Sequence, residues 1–432
     1  MVAGGRLTDW VSLGVLASWV PRDVVDEAVA VTGKGARRAG GKLPPHVMVY
    51  LVMALALFSD EDYEEVAARL TETLRSWGCW DDGWQVPTKG GITQARQRLG
   101  PEPVAEVFSQ VAAPAADLDT IGAFLGPWRL MSLDGMEWDV PDSAANRAVF
   151  GTRGGPRTPA AFPKIRVVTV SECGSHAPVL AVTGPAAGGK GSGEQSLARQ
   201  LYPRLEEGWL VIADRNFYCW DDWRTAAGTG ADLLWRVRGD ARLPVLEVLP
   251  DGSCRSVFIG PRIKGGKREA LIAAARRGED LDPGQARYVR VIEYDVPDRD
   301  GDGHGELIVL VTTITGWRAA PAHDLAGAYH QRWEHETGNA QLKTCLRGPG
   351  RVLRSRSPDL IEQEIWGLPA DALRDQRADL RRGYQRGHRP GPGQIPADAA
   401  DRPPGRRPGF SPLTAPPPSR ARSWPTSPRQ RT

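Results

Sequence analysis

The sequence predicts a mixed α/β protein: a helical N-terminal region, a strand-helix core, and a β-rich stretch that interrupts the core before a last long helix. Three observations predict it. Apolar residues recur at helical spacing through residue 125, strands of branched residues alternate with helices from 126 to 242, and strands follow one another without long helices from 243 to 315. With 432 residues, 41% of them hydrophobic and 25% charged, the chain is long enough for two or three domains with a sizeable core.

Bulk properties exclude more than they assign. A net charge of +3 is too mild to announce a nucleic-acid partner, so such a claim has to rest on local basic clusters. The five cysteines, Cys79, Cys173, Cys219, Cys254 and Cys345, are far apart with no C-x-x-C pair, which argues against zinc and a disulfide scaffold and fits a reducing cytoplasm. No signal-peptide pattern opens the chain, and the longest apolar run, His46 to Phe58, is shorter than the roughly 20 residues that span a bilayer. That run is expected to be a buried helix, and no membrane contact is expected.

In the helical region, 1–125, Val24, Val25, Ala28 and Val29, then His46 to Leu57, then Val66 to Leu74 mark helices. Pro87 to Leu99 reads as a turn at Gly90 and Gly91 followed by a polar, basic helix that includes Arg96 and Arg98. A helix lying in a DNA groove and an ordinary solvated face account for that charge equally well. The core, 126–242, opens after Gly126 and Pro127 with strands at Trp128 to Leu133, Ile165 to Val170 and Val179 to Val182. A helix at Leu197 to Leu205, a strand at Trp209 to Ala213, a helix at Trp220 to Ala227 and a strand at Asp232 to Val237 follow. The β-rich insertion, 243–315, holds a hairpin across Asp251 and Gly252 and two strong strands, Tyr288 to Val296 and Leu307 to Ile314. The core resumes over 316–368 with a long helix from a cap at Asp324 to about Leu346. The segment 369–432 is expected to be a disordered tail: from 383 onward it carries 12 Pro, 6 Gly and 9 Arg and neither Lys nor Glu.

Asp134 and Asp214 each follow an apolar strand, and the carboxyl edge of an open α/β sheet is where ligands bind. Acids also favour strand ends for purely local reasons, so either aspartate alone says little. The long helix adds a third carboxylate: Tyr329, Arg332, Glu336 and Lys343 have spacings of 3, 4 and 7, which puts them within roughly 40° of Glu336 about the helix axis. An Arg332–Glu336 surface pair is the plain alternative. Glu334 points to the far side and is the poorer ligand.

These residues carry a resemblance. The pattern Y-x2-R-x3-E-x6-K in Tyr329, Arg332, Glu336 and Lys343, with L-D-G at Leu133 to Gly135 and D-R-N-F at Asp214 to Phe217, resembles the insertion sequence 4 family of DDE transposases. The spacing, about 80 residues between the aspartates and about 120 to Glu336, also matches that family's habit of inserting a β domain before the glutamate. The resemblance covers roughly residues 1 to 367 and implies a ribonuclease H-like catalytic domain interrupted by a β-rich insertion and preceded by an α-helical DNA-binding domain. It implies that Asp134, Asp214 and Glu336 hold two Mg²⁺ ions, with Mn²⁺ as a substitute, Asp134 bridging both. Arg332 and Lys343 would hold phosphates and Tyr329 would position one. The implied partners are terminal inverted repeats and target DNA, met as a homodimer, and the implied activity is metal-dependent cleavage and strand transfer. The competing readings are a remnant that binds DNA without cutting it and a host nuclease of the same fold.

Other motifs weigh less. Lys264, Lys267, Arg268, Arg276 and Arg277 form a basic cluster suited to phosphates, though solvated surface is the default reading. Gly184 to Ser192 fails as a P-loop because Gly191 stands where a hydroxyl must meet magnesium. The Asp298, Asp300, Asp302 and Gly303 run lacks a calcium loop's closing glutamate, and His330 and His335 point about 140° apart. None of the 15 tryptophans can be singled out as a base-stacking residue. Past Gln363 to Gly367 the chain departs from the family pattern, as expected of a reading-frame shift near Leu368; translating the other frames should then recover an apolar helix.

Overall fold

The computed structural model describes residues 16–18, 20–36, 41–58, 61–76, 83–152, 154–155, 158–187, 192–238, 241, 243–296, 306–332 and 352–367. Glu334, His335, Glu336, Lys343, the aspartate-rich run at 298–303, most of the glycine-rich segment around Lys190 and the tail lie outside these residues. The described residues form two compact units, one from those up to Val237 together with 327–332 and 352–367, the other from those between Arg238 and Ala326.

In the first unit, helix α1 (Arg22–Val31) buries Val25, Ala28 and Val29, the 3-and-4 spacing of one face. Helix α2 (Pro45–Leu57) is apolar all round, and every residue from Val47 to Ala56 is buried. Pro45 starts it at the position where a missing N–H costs nothing. Tyr50, within it, donates to the Val20 carbonyl at 2.7 Å, and burial pushes its hydroxyl up to about 12. Helices α3 (Tyr63–Ser76), α4 (Lys89–Leu99) and α5 (Glu102–Val111) complete this layer around a shared core that includes Leu51, Val66, Ile92 and Val104. Gly90 and Gly91, expected as a turn, lie instead in the first turn of α4, because Thr88 caps the helix by accepting from the Gly91 N–H at 3.3 Å.

The sheet of this unit begins with β1 (Phe124–Leu125) paired to β2 (Trp128–Asp139). After helix α6 (Ala144–Phe150) and a small ribbon of β3 (Gly154–Gly155) and β4 (Thr158–Pro159) come β5 (Lys164–Glu172) and β6 (Pro178–Pro185). Helix α7 (Glu194–Ala198), β7 (Trp209–Ala213), helix α8 (Trp220–Ala227) and β8 (Asp232–Arg236) follow. The order is β6-β5-β2-β7-β8, with β5 antiparallel to β2, β6 antiparallel to β5, and β7 and β8 parallel to β2. This mixed arrangement fits a ribonuclease H-like fold. Parallel neighbours require crossovers, which α7 and α8 supply, and β7 is buried at every position, as a central parallel strand covered on both faces is.

Two sequence expectations are corrected here. Asp134 does not end a strand: β2 runs on to Asp139 because β5 pairs it to the Asp139–Lys164 register. Leu197 to Leu205 is not one helix: α7 stops at Ala198 and a single 3-10 turn spans Tyr202–Arg204, with Pro203 unable to donate in a helix interior.

A final helix, α11 (residues 358–367), closes the unit. Leu353, Ile361 and Ile365 pack with Ala56 of α2 and with Met136, Trp138, Ile165 and Val167 of the sheet, and the Trp366 ring lies 5.6 Å from Phe108. This segment therefore sews the helical layer to the sheet.

In the second unit, β9 (Val245–Val248), β10 (Cys254–Ile259), β11 (Ala286–Val296) and β12 (Glu306–Thr312) form an antiparallel sheet in sequential order. The Asp251–Gly252 hairpin forms, Gly252 taking the left-handed φ of 82°. The expectation of strands without a long helix fails, since α9 (Gly265–Arg276) has 12 residues. Gly265 and Gly266 mask its start, but Ala270 to Ala275 is a run of strong helix formers. Arg290 is wholly buried and donates to Ser253 Oγ (2.8 Å), the Ala320 carbonyl (2.6 Å) and the Asp251 carboxylate. Among the described residues no helix is long and apolar enough to cross a membrane.

Candidate active site

Strand register brings the two aspartates together. Leu133 of β2 pairs with Ala213 of β7, and Ala213 pairs with Trp235 of β8, all in parallel. Asp134, Asp214 and Arg236 are the residues that next follow these three along the chain, Asp134 and Arg236 within their strands and Asp214 just beyond β7. In-register neighbours on parallel strands point to the same face, with strands about 4.8 Å apart. Asp134 is half-buried within the continuing strand β2, whereas Asp214 is half-buried just past the end of β7, where its carbonyl accepts from the Phe217 N–H at 3.0 Å. Phe217 is 1% exposed and anchors that turn.

Oδ1 of Asp214 is buried and has no hydrogen-bond partner among the described residues. A carboxylate oxygen withdrawn from water without a partner is costly, and a divalent cation is what such an oxygen, beside a second carboxylate, is suited to meet. The residues present therefore fit a metal ion on this test. Among the described residues no set of three His, Cys, Asp or Glu is placed to hold one; the third expected ligand, Glu336, lies outside them.

Helix α10 (Ala322–His330) leads into this site; it starts two residues before the cap expected at Asp324, its first turn hydrogen-bonding back to Pro321. Tyr329 is buried, and that burial pushes its hydroxyl up to about 12. The charges of Arg332 and Arg236 oppose the shift and that of Asp214 adds to it, so all three lie in electrostatic reach of the phenol. The Arg332 guanidinium is 5.9 Å from the Tyr329 ring centre. The structure thus gathers Asp134, Asp214, Tyr329 and Arg332, and adds Arg236, which the sequence reading missed. Its signal was present, since Arg236 follows the apolar run Leu233 to Trp235 as the aspartates follow theirs.

Arg96 is corrected. It is wholly buried, donating to Gln363 Oε1 (3.0 Å), Tyr63 Oη (2.6 Å), Ser355 Oγ (3.4 Å) and the Leu360 carbonyl (3.1 Å), so it is no surface contact for DNA. Its position, four after Ile92 and three before Leu99, puts it on the inward face of α4. Arg98 is exposed beside Gln94 and Gln97. In the second unit Lys264 and Lys267 are exposed and Arg268 is half-buried, all at the start of α9.

Comparison with known proteins identifies the family of the chain. Residues 10–109 match the family described as Insertion element 4 transposase N-terminal, and residues 129–370 match the Transposase DDE domain. The transposase InsG for insertion sequence element IS4 of Escherichia coli K12 is 25% identical over 355 residues, 82% of this chain and 73% of that protein. A putative transposase of the same organism, InsZ, is 24% identical over 225 residues, 52% of this chain and 71% of the relative. A piggyBac transposase synaptic complex with hairpin DNA superposes with a TM-score of 0.45 at 10% identity over 89% of this chain and 78% of that one, a likeness that bears on neither fold nor function. With the DDE match spanning more than half of its length and the insertion element 4 match covering its helical region, the chain belongs to the insertion element 4 family of DDE transposases, enzymes that cleave DNA and transfer its strands.

Proposed function

We propose that Asp134, Asp214 and Glu336 are the three carboxylates of this transposase, holding two Mg²⁺ ions, and that the enzyme cuts and joins at the terminal inverted repeats of its own element. The observation that carries the reading is that Asp134 and Asp214 directly follow the paired residues Leu133 and Ala213 of adjacent parallel strands, with one buried Asp214 carboxylate oxygen unpartnered among the described residues and Tyr329 within electrostatic reach of Asp214. Bound metal ions supply stabilisation of the charge that grows on the attacking and leaving oxygens of an in-line displacement.

The chain's own groups do the rest. Arg332 brings a planar fork of N–H donors to phosphate oxygens, and Lys343 adds a point charge. Arg236, on the strand beside Asp214, adds a second guanidinium. Tyr329, with its hydroxyl pushed up to about 12, stays a neutral phenol at neutral pH and serves as a hydrogen-bond donor. The helical N-terminal layer would bind the terminal repeats, with Arg98 on an exposed face of α4. Lys264, Lys267 and Arg268 of the β-rich unit would contact phosphates without reading sequence. A homodimer on paired ends completes the assembly.

The test is a supercoiled plasmid bearing the element's ends, incubated with the protein and Mg²⁺ or with EDTA. Metal-dependent nicking at the 3′ ends of the repeats, lost in Asp134→Asn and Asp214→Asn, is the expected result. Binding of the repeats without nicking would reject the active enzyme, and cleavage indifferent to the repeats would reject the transposition substrate.

A further inference from the structure

We propose that Glu194 is a positioning residue for the reaction, its carboxylate tying the turn after Asp214 to the strand after Asp134 and so setting the spacing of the two aspartates. The proposal rests on the assignment of those aspartates to the site.

The two aspartates are held unequally. Asp134 lies inside β2, which β5 pairs residue by residue on both sides of it. Asp214 lies one residue beyond the last pair of β7 and depends on its turn. Two residues of α7 grip that turn. Glu194 Oε2 accepts from the Asn216 side-chain amide at 2.6 Å, and the Gln195 side-chain amide donates to the Asn216 carbonyl. Glu194's other oxygen rests on β2: it lies 1.9 Å from where a Cβ on Gly135 would be, so any side chain at 135 would push the carboxylate away. Helix α7 is itself fixed, Leu197 and Ala198 being buried and the Leu197 side chain lying 2.7 Å from where a Cβ on Gly184 of β6 would stand. Glu194 is thus a hydrogen-bonded brace mounted on a packed element, reaching from the residue after one aspartate to the second residue after the other.

Two carboxylates that share ions about 4 Å apart tolerate little drift, and sites of this kind need their groups held to about 0.5 Å. Loss of the brace should therefore weaken metal binding and turnover while leaving DNA affinity alone. The full chain is assayed on the end-bearing plasmid, and Mn²⁺ titration followed by thermal shift gives a readout independent of catalysis. Glu194→Ala and Asn216→Ala should each lower kcat and raise the Mn²⁺ midpoint about 10- to 100-fold, the usual effect of losing a group that orients a metal ligand. KM for the plasmid should stay within about twofold, because the phosphate-binding groups are untouched. The double variant should be no worse than either single one. Glu194→Gln, which keeps an oxygen to accept from Asn216, should stay within about threefold of the parent.

An equal defect in Glu194→Gln and Glu194→Ala would overturn the proposal, since the negative charge itself would then be required. So would wild-type turnover and Mn²⁺ midpoint in Asn216→Ala, which alters an exposed side chain and decides the matter even if Glu194→Ala fails to fold. Asp214→Asn runs alongside: normal nicking there would reject the aspartate assignment, whereas an inactive Asp214→Asn beside a normal Asn216→Ala would reject the brace alone.

Discussion

Replacing Arg96 with alanine distinguishes a guanidinium that holds the fold together from one that grips DNA. In the structure this side chain is 0% exposed and reaches four acceptors drawn from α3, from Ser355 and from α11, with the Tyr63 ring 5.2 Å from its centre. Gln363 completes the loop by donating to the carbonyls of Arg96 and Gly100 at 2.7 and 2.8 Å. Truncation strands the Gln363, Tyr63 and Leu360 oxygens in a dry interior. Each buried orphan costs about 1–3 kcal/mol, so the stranded neutral acceptors together cost about 3–5 kcal/mol once part of the sum is relieved by relaxation. At about 2 °C per kcal/mol for a large domain, the melting midpoint should fall by roughly 5–10 °C. Thermal unfolding by circular dichroism measures it, and plasmid-end binding across a salt series supplies the contrast. A phosphate-contacting arginine would leave the melt unchanged, weaken binding and lower the salt slope by about one. That second pattern in Arg96→Ala would refute the buried network, whereas Arg98→Ala is the variant expected to produce it.

Three further outcomes are expected. Asp214→Asn should abolish nicking and also the Mg²⁺-induced rise in melting temperature, with the circular dichroism spectrum unchanged; a retained metal-induced rise would remove Asp214 from the metal site. Glu172→Ala should cost about 3–5 kcal/mol in denaturant unfolding, because its fully buried carboxylate accepts from the Ala115 and Ala116 amides, Ser175 and Arg129; a change under about 1 kcal/mol, as for a surface pair, would contradict this. In the second unit, burial works against the Asp251 charge, but Ser253, the Ala322 amide and Arg290 hold its carboxyl below the ordinary 3.8. Its depressed value means that its contribution to stability is complete above pH 3.8 and is lost as pH falls through the lower folded value. Asp251→Asn should therefore destabilise at neutral pH and flatten the acid limb of the stability curve below pH 3.8; an unchanged acid limb would count against the network.

Much of this protein was legible in its residues. Helical spacing named α1 to α3 and branched apolar runs named the strands of the core, because burial of one face imposes a period that needs no knowledge of the partner. The signature beginning Tyr329, Arg332 was equally local, being a repeat along one helix. What stayed hidden depended on pairing. Nothing in the sequence says that Leu133, Ala213 and Trp235 stand abreast, and it is that register which sets Asp134, Asp214 and Arg236 side by side. The same is true of Arg96, whose charge suggested DNA until residues 355 to 363, more than 250 positions away in sequence, supplied its buried acceptors. Glu194 and Asn216, unremarkable in their own segments, become a brace only when α7, packed on β5 and β6, brings the Glu194 carboxylate to Gly135 of β2 and to the turn after β7. Composition and periodicity thus determined which elements form and which face each one buries, since those depend on neighbours a few residues away. Only the tertiary structure decided which polar groups meet, because a side chain's partners are chosen by strand order and packing across hundreds of residues.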